Sequence, residues 1–276
     1  MDPRAGRGRG GDRRCGRRGR LGRPVPHLSL IIPVHNEAAH LLTVLARIRA
    51  ATCQIPREWI IVDDRSTDGS EQLLRTWVQD HGGEEAGMHL IVRPQGVSGG
   101  KGIAIAEGIS RATGDFVIVQ DADLEYDPAD IARLLEPLLQ DRADVVYGSR
   151  FRGDGIQVHR TFHYLINRVL TALSNLASGI YLTDMETCYK LFRADLVQSM
   201  DLRSERFGVE VELTANIAKV RARIVELPIS YFPRTRLAGK KINWRDGVAA
   251  LWHLVHYNLL TSIDRAYRDL PERYRP

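Results

Sequence analysis

Apolar and polar positions along this chain of 276 residues alternate in blocks. Residues 28–34, LSLIIPV, form a short run rich in β-branched side chains behind a proline-rich segment, and a buried strand is expected there. Leu41, Leu42, Val44, Leu45 and Ile48 then recur at helical spacing, with Asn36 as the expected cap. EWIIVDD (58–64), MHLIVRP (88–94), DFVIVQDAD (115–123) and ADVVYGSR (143–150) read as further strands. Helical patterns separate them: RSTDGSEQLLRTWVQ, opened by capping residues, SGGKGIAIAEGISRA (98–112), and PADIARLLEPLLQ (128–140), with proline at its entrance. Strand and helix in turn, joined by short links, predict an α/β fold with a mostly parallel sheet flanked by helices.

After residue 150 the alternation loosens. Residues 160–179 and 210–220 read as helices, YKLFRADL as a short strand leading into a helix, and 222–232 as a strand. In the segment 243–266, Val248, Leu251, Trp252, Val255, Leu259 and Ile263 share one helical face. That face is expected to pack on the sheet, with contact to a membrane surface as an addition. No run approaches the roughly 18 apolar residues of a transmembrane helix. The expected organisation is a disordered Arg/Gly-rich tail (1–27), one domain (28–242), and a C-terminal amphipathic helix with its tail (243–276).

Charge changes the picture at the N-terminus only. Nine Arg and two Asp put +7 into residues 1–27, against +5 for the whole chain, which leaves −2 on the rest. The tail has no apolar stretch, so it is neither a secretory signal nor a segment able to bury a core. A tether to RNA or anionic lipid is the sharper reading of so much arginine. No aromatics interleave the arginines, so base stacking is unsupported and no nucleic-acid partner is expected. Cys15, Cys53 and Cys188 form no CxxC, which argues against a zinc site or a disulfide framework and fits a reducing compartment.

The candidate chemistry lies where the strands end. In parallel sheets, ligands bind beyond the carboxyl ends of the strands, and HNE, DDRSTD, DADLE and GSR fall at four such ends. In QDADLEYDP, Asp121, Asp123, Glu125 and Asp127 occupy alternate positions. Hard divalent cations take oxygen ligands and usually share them with substrate phosphates, so a metal–diphosphate site is the favoured reading there. Capping of the next helix is the bland one, and it suits Asp127, ahead of Pro128. Asp68 reads as a cap and Asp64 as a ligand candidate. SGGKG fails the Walker pattern because Gly102 stands where Ser or Thr belongs, and the first strand lacks a dinucleotide glycine motif. Lys101 is a candidate for the base or phosphate region, or simply a lysine at a glycine turn.

SLIIPVHNE, IIVDDRSTDGS, GKGIAIAEGI, FVIVQDADLEYDP and YGSR, in this order and spacing, resemble the family 2 glycosyltransferases of GT-A (Rossmann-like) fold. The chain is most similar to their polyprenol (dolichyl) phosphate mannosyl/glucosyl synthase branch, over about residues 28–245. The resemblance implies an inverting hexosyl transfer from a GDP- or UDP-linked sugar, dependent on Mg²⁺ or Mn²⁺, with a polyprenyl phosphate as acceptor. It implies that Pro33, His35, Glu37, Val62 and Asp64 line the base pocket. Asp121, Ala122 and Asp123 would hold ribose and diphosphate, with Asp123 and Glu125 on the metal. Arg150 would face the acceptor phosphate, and in FPRTRLAGKKI Arg234 with Lys240 or Lys241 would grip phosphates. His35 stands where the synthases usually carry Tyr, and Glu125 where they often carry Gln. DMETCYKLFR (184–193) looks more like bacterial relatives with varied donors and acceptors. A soluble hydroxyl acceptor would instead need a base, for which Asp184, Glu210 and Glu212 are candidates; a non-catalytic nucleotide-sugar-binding subunit is the remaining alternative. A cytoplasmic location is expected, with peripheral contact at the cytoplasmic membrane face or with a membrane partner subunit.

Overall fold

The computed structural model describes residues 25–97, 99–152, 161–205, 208–233 and 244–276, without the side chains of 161–163 and 244–248. The basic tail up to residue 24 and the basic loop with Arg234, Lys240 and Lys241 lie outside the described residues.

The strands are β1 (Leu28–Val34), β2 (Arg57–Asp63), β3 (Met88–Val92), β4 (Phe116–Val119), β5 (Val145–Ser149), β6 (Lys190–Arg193) and β7 (Ile224–Pro228). They form one sheet in the order β3-β2-β1-β4-β6-β5-β7. Only β6 runs antiparallel to its neighbours; the other pairs are parallel. The apolar runs mark the centre: β1 lies between β2 and β4, with Ile31 in register with Ile60 and Val119. Pro33 is tolerated in this central strand for a local reason. Ile31 and Pro33 face the same neighbour, and the ladder to β4 ends at the Ile31–Val119 pair. The N–H that proline lacks therefore falls where no ladder continues.

The helices are α1 (Leu41–Ala50), α2 (Ser70–Asp80), α3 (Lys101–Arg111), α4 (Asp130–Leu139), α5 (Thr161–Ser178), α6 (Ala194–Gln198), α7 (Val209–Ala218), α8 (Trp244–Val255) and α9 (Ile263–Ala266). At the edge opposite the carboxyl ends of the parallel strands, Asp144 clamps the last strands together. Its carboxylate accepts from Arg193 Nε (3.1 Å) and from the backbone N–H and guanidinium of Arg223 (2.9–3.0 Å). Burial raises the Asp144 pKa, but the Arg223 bonds and charge outweigh it and hold the group below its ordinary value.

Three local expectations are corrected. Asn36 does not cap α1: it has φ 55°, and its side chain accepts the N–H of Thr67 at 2.7 Å, tying the end of β1 to the turn after β2. β4 stops at Val119, so Asp121 and Asp123 lie on a turn rather than on the strand. The segment 243–266 is not one helix packed through its most apolar face. α8 ends at Val255, a π-helical stretch runs from His256 to Leu260, and α9 follows. Leu251, Trp252, Val255 and Leu259 are exposed, and the buried side chains among the described ones are Leu254, Tyr257 and Ala266. Polar partners select that inner face. Tyr257 Oη accepts from Ser204 Oγ at 2.9 Å, and its carbonyl accepts from Lys219 Nζ at 2.6 Å.

Candidate active site

β1, β2, β4 and β5 run the same way, so their carboxyl ends share one edge of the sheet. The antiparallel β6 begins at that edge, which brings the 183–189 segment to the same place.

On the β1–β2 side, Pro33 and Val62 are register partners, and Val62 is wholly buried. His35 Nδ1 lies 2.7 Å from the Asp64 carbonyl. The N–H of Glu37 donates to Ser70 Oγ at 3.0 Å, placing Glu37 against the start of α2. Asp68 accepts from Ala38 N–H and from the Ser70 N–H and hydroxyl. Burial works to raise its pKa, and these bonds carry it below the ordinary value. The Asp64 carboxylate is almost fully buried and holds the glycine turn: it accepts from Gly100 N–H (2.5 Å), Arg93 Nη1 (2.6 Å) and Arg65 Nε (3.2 Å). A Cβ on Gly99 would fall 1.6 Å from Arg65 Nη2, so glycine is needed for Arg65 to lie over that turn.

Lys101, at the first turn of α3, joins two elements. Its ammonium lies 2.9 Å from Asp121 Oδ1 and 3.1 Å from Glu210 Oε1 of α7. Burial opposes its charge, but Asp121 and Glu210 among its neighbours hold its pKa well above the ordinary lysine value. Ala122 is buried beneath the turn, and Asp123 Oδ1 accepts the N–H of Glu125 at 3.1 Å. Asp127 accepts the N–H of Ala129 at 3.0 Å in the turn before α4, whose N-cap position is held by Ala129 and not, as expected, by Asp127. Asp123 and Glu125 thus supply hard oxygen donors two residues apart on one turn. Among the described residues no group of three or more His, Cys, Asp or Glu is arranged to hold a metal. Such a donor set suits an ion that completes its shell from a diphosphate.

Arg150, just past β5, is held from both sides. Its backbone N–H and Nε donate to Asp184 Oδ2 at 3.0 and 2.7 Å, and Nη2 donates to Oδ1 at 2.7 Å. Burial disfavours the charged guanidinium, and Asp184 more than compensates, raising its pKa. Its Cζ lies 5.2 Å from the Tyr231 ring centre and 5.6 Å from that of Phe151. Tyr231 Oη donates to Glu125 Oε2 at 2.8 Å. Tyr231 therefore spans the acidic turn and the arginine.

The base candidates are engaged elsewhere. Asp184 is wholly buried against Arg150, Glu210 faces Lys101, and Glu212 accepts the backbone N–H groups of Arg203 and Ser204 at 2.8 Å each. Tyr231, Arg93 and Glu186 belong to the same edge, and no motif in the sequence marks them. Burial, with Glu210 nearby, pushes the Glu186 carboxyl up to about 7, against the pull of Lys190 and Arg150. Spacing gave no signal for these three, because each meets partners from a distant strand or helix.

Comparison with known proteins identifies the family. Residues 29–200 match the family model described as Glycosyl transferase family 2. The chain belongs to that family. It is 30% identical over 238 residues to an undecaprenyl-phosphate mannosyltransferase from Micrococcus luteus, covering 80% of this chain and 94% of that protein. It is 30% identical over 240 residues to an undecaprenyl-phosphate 4-deoxy-4-formamido-L-arabinose transferase from Aeromonas hydrophila, covering 86% of this chain and 67% of that protein. Among solved structures, glucosyl-3-phosphoglycerate synthase from Mycobacterium tuberculosis, crystallised with Mn²⁺, UDP and glucosyl-3-phosphoglycerate, superposes with a TM-score of 0.63 at 20% identity. That superposition covers 84% of this chain and 80% of that one, and it shows the GT-A-like fold. The chain is thus a family 2 glycosyltransferase, an enzyme of the hexosyltransferase class.

Proposed function

We propose that this glycosyltransferase moves a hexose from a nucleoside-diphosphate sugar to a polyprenyl phosphate, with Mg²⁺ or Mn²⁺ bound to the donor diphosphate. The observation that carries this reading is the bridge made by Tyr231. Its hydroxyl donates to Glu125 on the acidic turn, and its ring lies 5.2 Å from the guanidinium of Arg150. An anionic donor group held through a metal and an anionic acceptor held by arginine would meet across this bridge. The names of the two bacterial relatives, both undecaprenyl-phosphate sugar transferases, support the acceptor class.

In this reading Asp123 and Glu125 would hold the metal, which would supply charge stabilisation to the departing diphosphate. Asp121, positioned by Lys101, takes the ribose side. Pro33, His35, Glu37, Val62 and Asp64 shape the base pocket. Arg150 orients the acceptor phosphate, whose oxygen forms the new bond to the anomeric carbon as the bond to the diphosphate breaks. The acceptor oxygen is already ionised, so no base has to remove a proton. This suits an edge where Asp184, Glu210 and Glu212 are committed to Arg150, Lys101 and backbone N–H groups. Arg234 with Lys240 or Lys241 complete the phosphate grip.

The test is a donor screen with a polyprenyl phosphate and either metal, using GDP-mannose, UDP-glucose and UDP-N-acetylglucosamine in turn. One donor should yield a lipid-linked sugar and the free nucleotide. Asp123→Asn should lower that rate by about 100-fold or more and weaken metal-dependent donor binding. Transfer to soluble hydroxyl acceptors alone, or donor binding without turnover, would overturn the reading.

A further inference from the structure

Among the described residues, the largest group of exposed apolar side chains lies away from the donor edge, on α5 and α8, which pack beside one another. On α5, Leu165, Val169, Leu173 and Leu176 follow one another at steps of three and four residues and face outward. Leu176 is 85% exposed, and Tyr181, just past the helix, is 84% exposed. On α8 and the π-helical stretch, Leu251, Val255 and Leu259 repeat the spacing, with Trp252 57% and Leu259 68% exposed. Isolated exposed leucines are ordinary; two adjacent helices that both turn leucines outward are not.

The charge on these segments indicates what covers them. Residues 161–183 and 247–263 contain no Asp or Glu, and the first carries Arg168. A protein partner held by ion pairs would find only that arginine in α5. A lipid leaflet requires no carboxylate on its docking face, favours Trp and Tyr at headgroup depth, and attracts cations through its anionic headgroups. No described helix is long and apolar enough to cross a membrane, so the contact would be with the surface.

Continuity with the acceptor edge adds a second argument. The Arg150 guanidinium lies 5.6 Å from the Phe151 ring, and Phe151 meets Tyr164 of α5 edge to face at 5.3 Å. Tyr164 is exposed and precedes Leu165 at the start of the apolar row. The face therefore begins two aromatic rings away from Arg150.

We propose that the outer faces of α5 and α8 dock on a lipid bilayer with anionic headgroups and so hold the Arg150 edge of the cleft against the leaflet. This deepens the lipid-phosphate reading and rests on it for the purpose of the docking, though not for the docking itself.

The experiment uses the full chain and vesicles of phosphatidylcholine, with and without phosphatidylglycerol, containing no acceptor. The protein should float with the vesicles, more strongly when phosphatidylglycerol is present, and a blue shift of tryptophan emission should disappear in Trp252→Phe. The double substitution Leu176→Glu, Leu259→Glu alters exposed positions only, so the melting temperature should hold while partitioning falls by about tenfold or more. With acceptor supplied, that variant should lose transfer to vesicle-borne polyprenyl phosphate and keep transfer to a short-chain, water-soluble one. Failure of the wild type to float, or equal flotation of the variant, overturns the proposal. A dimer that the same substitutions dissolve, with vesicle binding unchanged, overturns it in favour of an interface between copies. If no polyprenyl phosphate is used at all, the functional reading fails while flotation still decides the docking.

Discussion

Arg150 and Asp184 show how far a single contact controls this site. Three N–H groups of Arg150 converge on one wholly buried carboxylate. Asp184→Asn keeps the shape and removes the charge, leaving a buried guanidinium without its counterion. Breaking a buried pair from one side costs about 3–5 kcal/mol, so the melting temperature should drop by several degrees. Transfer should fall by about 100-fold through misplacement of Arg150, while donor affinity measured by calorimetry should be nearly unchanged, because Asp121 and Asp123 lie on a different turn. Glu186 gives a second test, read by pH. Its pKa is raised from 4.5 to about 7, chiefly by burial and then by Glu210. A raised carboxyl pKa contributes stability that is fully present below 4.5 and is lost as pH rises through about 7. Glu186→Gln has no such dependence. Thermal melts across that window should therefore show the variant gaining about 1–3 kcal/mol on the wild type as pH rises. At this scale the placement of Asp121, Asp123 and Arg150 at one edge was legible, because each follows the apolar run of a strand. Glu186 and Tyr231 were not, because their partners come from α7, β6 and the acidic turn, and no local spacing encodes such meetings.

Among the elements, α3 packs directly on β1 and β2. Gly102, Ala104, Ile105, Gly108 and Ile109 form its buried face over β1 and β2. A Cβ on Gly108 would sit 2.3 Å from Ile31 Cγ2, inside any tolerable contact. Ile31 is wholly buried in the central strand and has no room to retreat. Gly108→Ala should then destabilise by about 1–3 kcal/mol through overpacking, despite the better helix propensity of alanine. Circular dichroism melts would detect it, and an unchanged or raised melting temperature would contradict this packing. The same close approach brings Lys101, at the start of α3, against Asp121. The elements that could be read from sequence were the uniformly apolar central strands, since a strand buried on both faces has one signature. The end of β4 lies earlier than expected because nothing in Gln120 to Asp123 breaks a strand locally, while the ladder to β1 stops at Val119. The segment 243–266 was misread for a different reason. Periodicity selects the most apolar face, whereas the fold buries the face that offers Tyr257 to Ser204 and Lys219.

For the whole molecule, charge and fold separate along the chain. The first contacts of the sheet need nothing before His27: its N–H donates to Asp115 Oδ2 at 2.8 Å, its carbonyl accepts Phe116 N–H at 3.1 Å, and Leu28 N–H donates to the Pro56 carbonyl at 3.0 Å. All nine arginines of the tail precede residue 24, so removing residues 1–24 takes away +7 and turns a net charge of +5 into −2. No described contact of the donor edge or of Arg150 is touched. The shortened protein should therefore melt within about 1–2 °C of the full chain and transfer sugar at a rate within about twofold of it. Its attraction to anionic vesicles should fall, and the fall should be largest at low salt, because the attraction of net charge to a charged surface reaches over about a Debye length. Binding to neutral vesicles should not change, since insertion of Leu176, Trp252 and Leu259 depends on apolar area rather than charge. Flotation of both forms across a salt series separates the two terms: a salt-sensitive part carried by the tail and a salt-insensitive part carried by α5 and α8. Loss of sugar transfer on deletion would instead place the tail within the working enzyme, and would require contacts reaching from it to the edge where Asp123 and Arg150 lie.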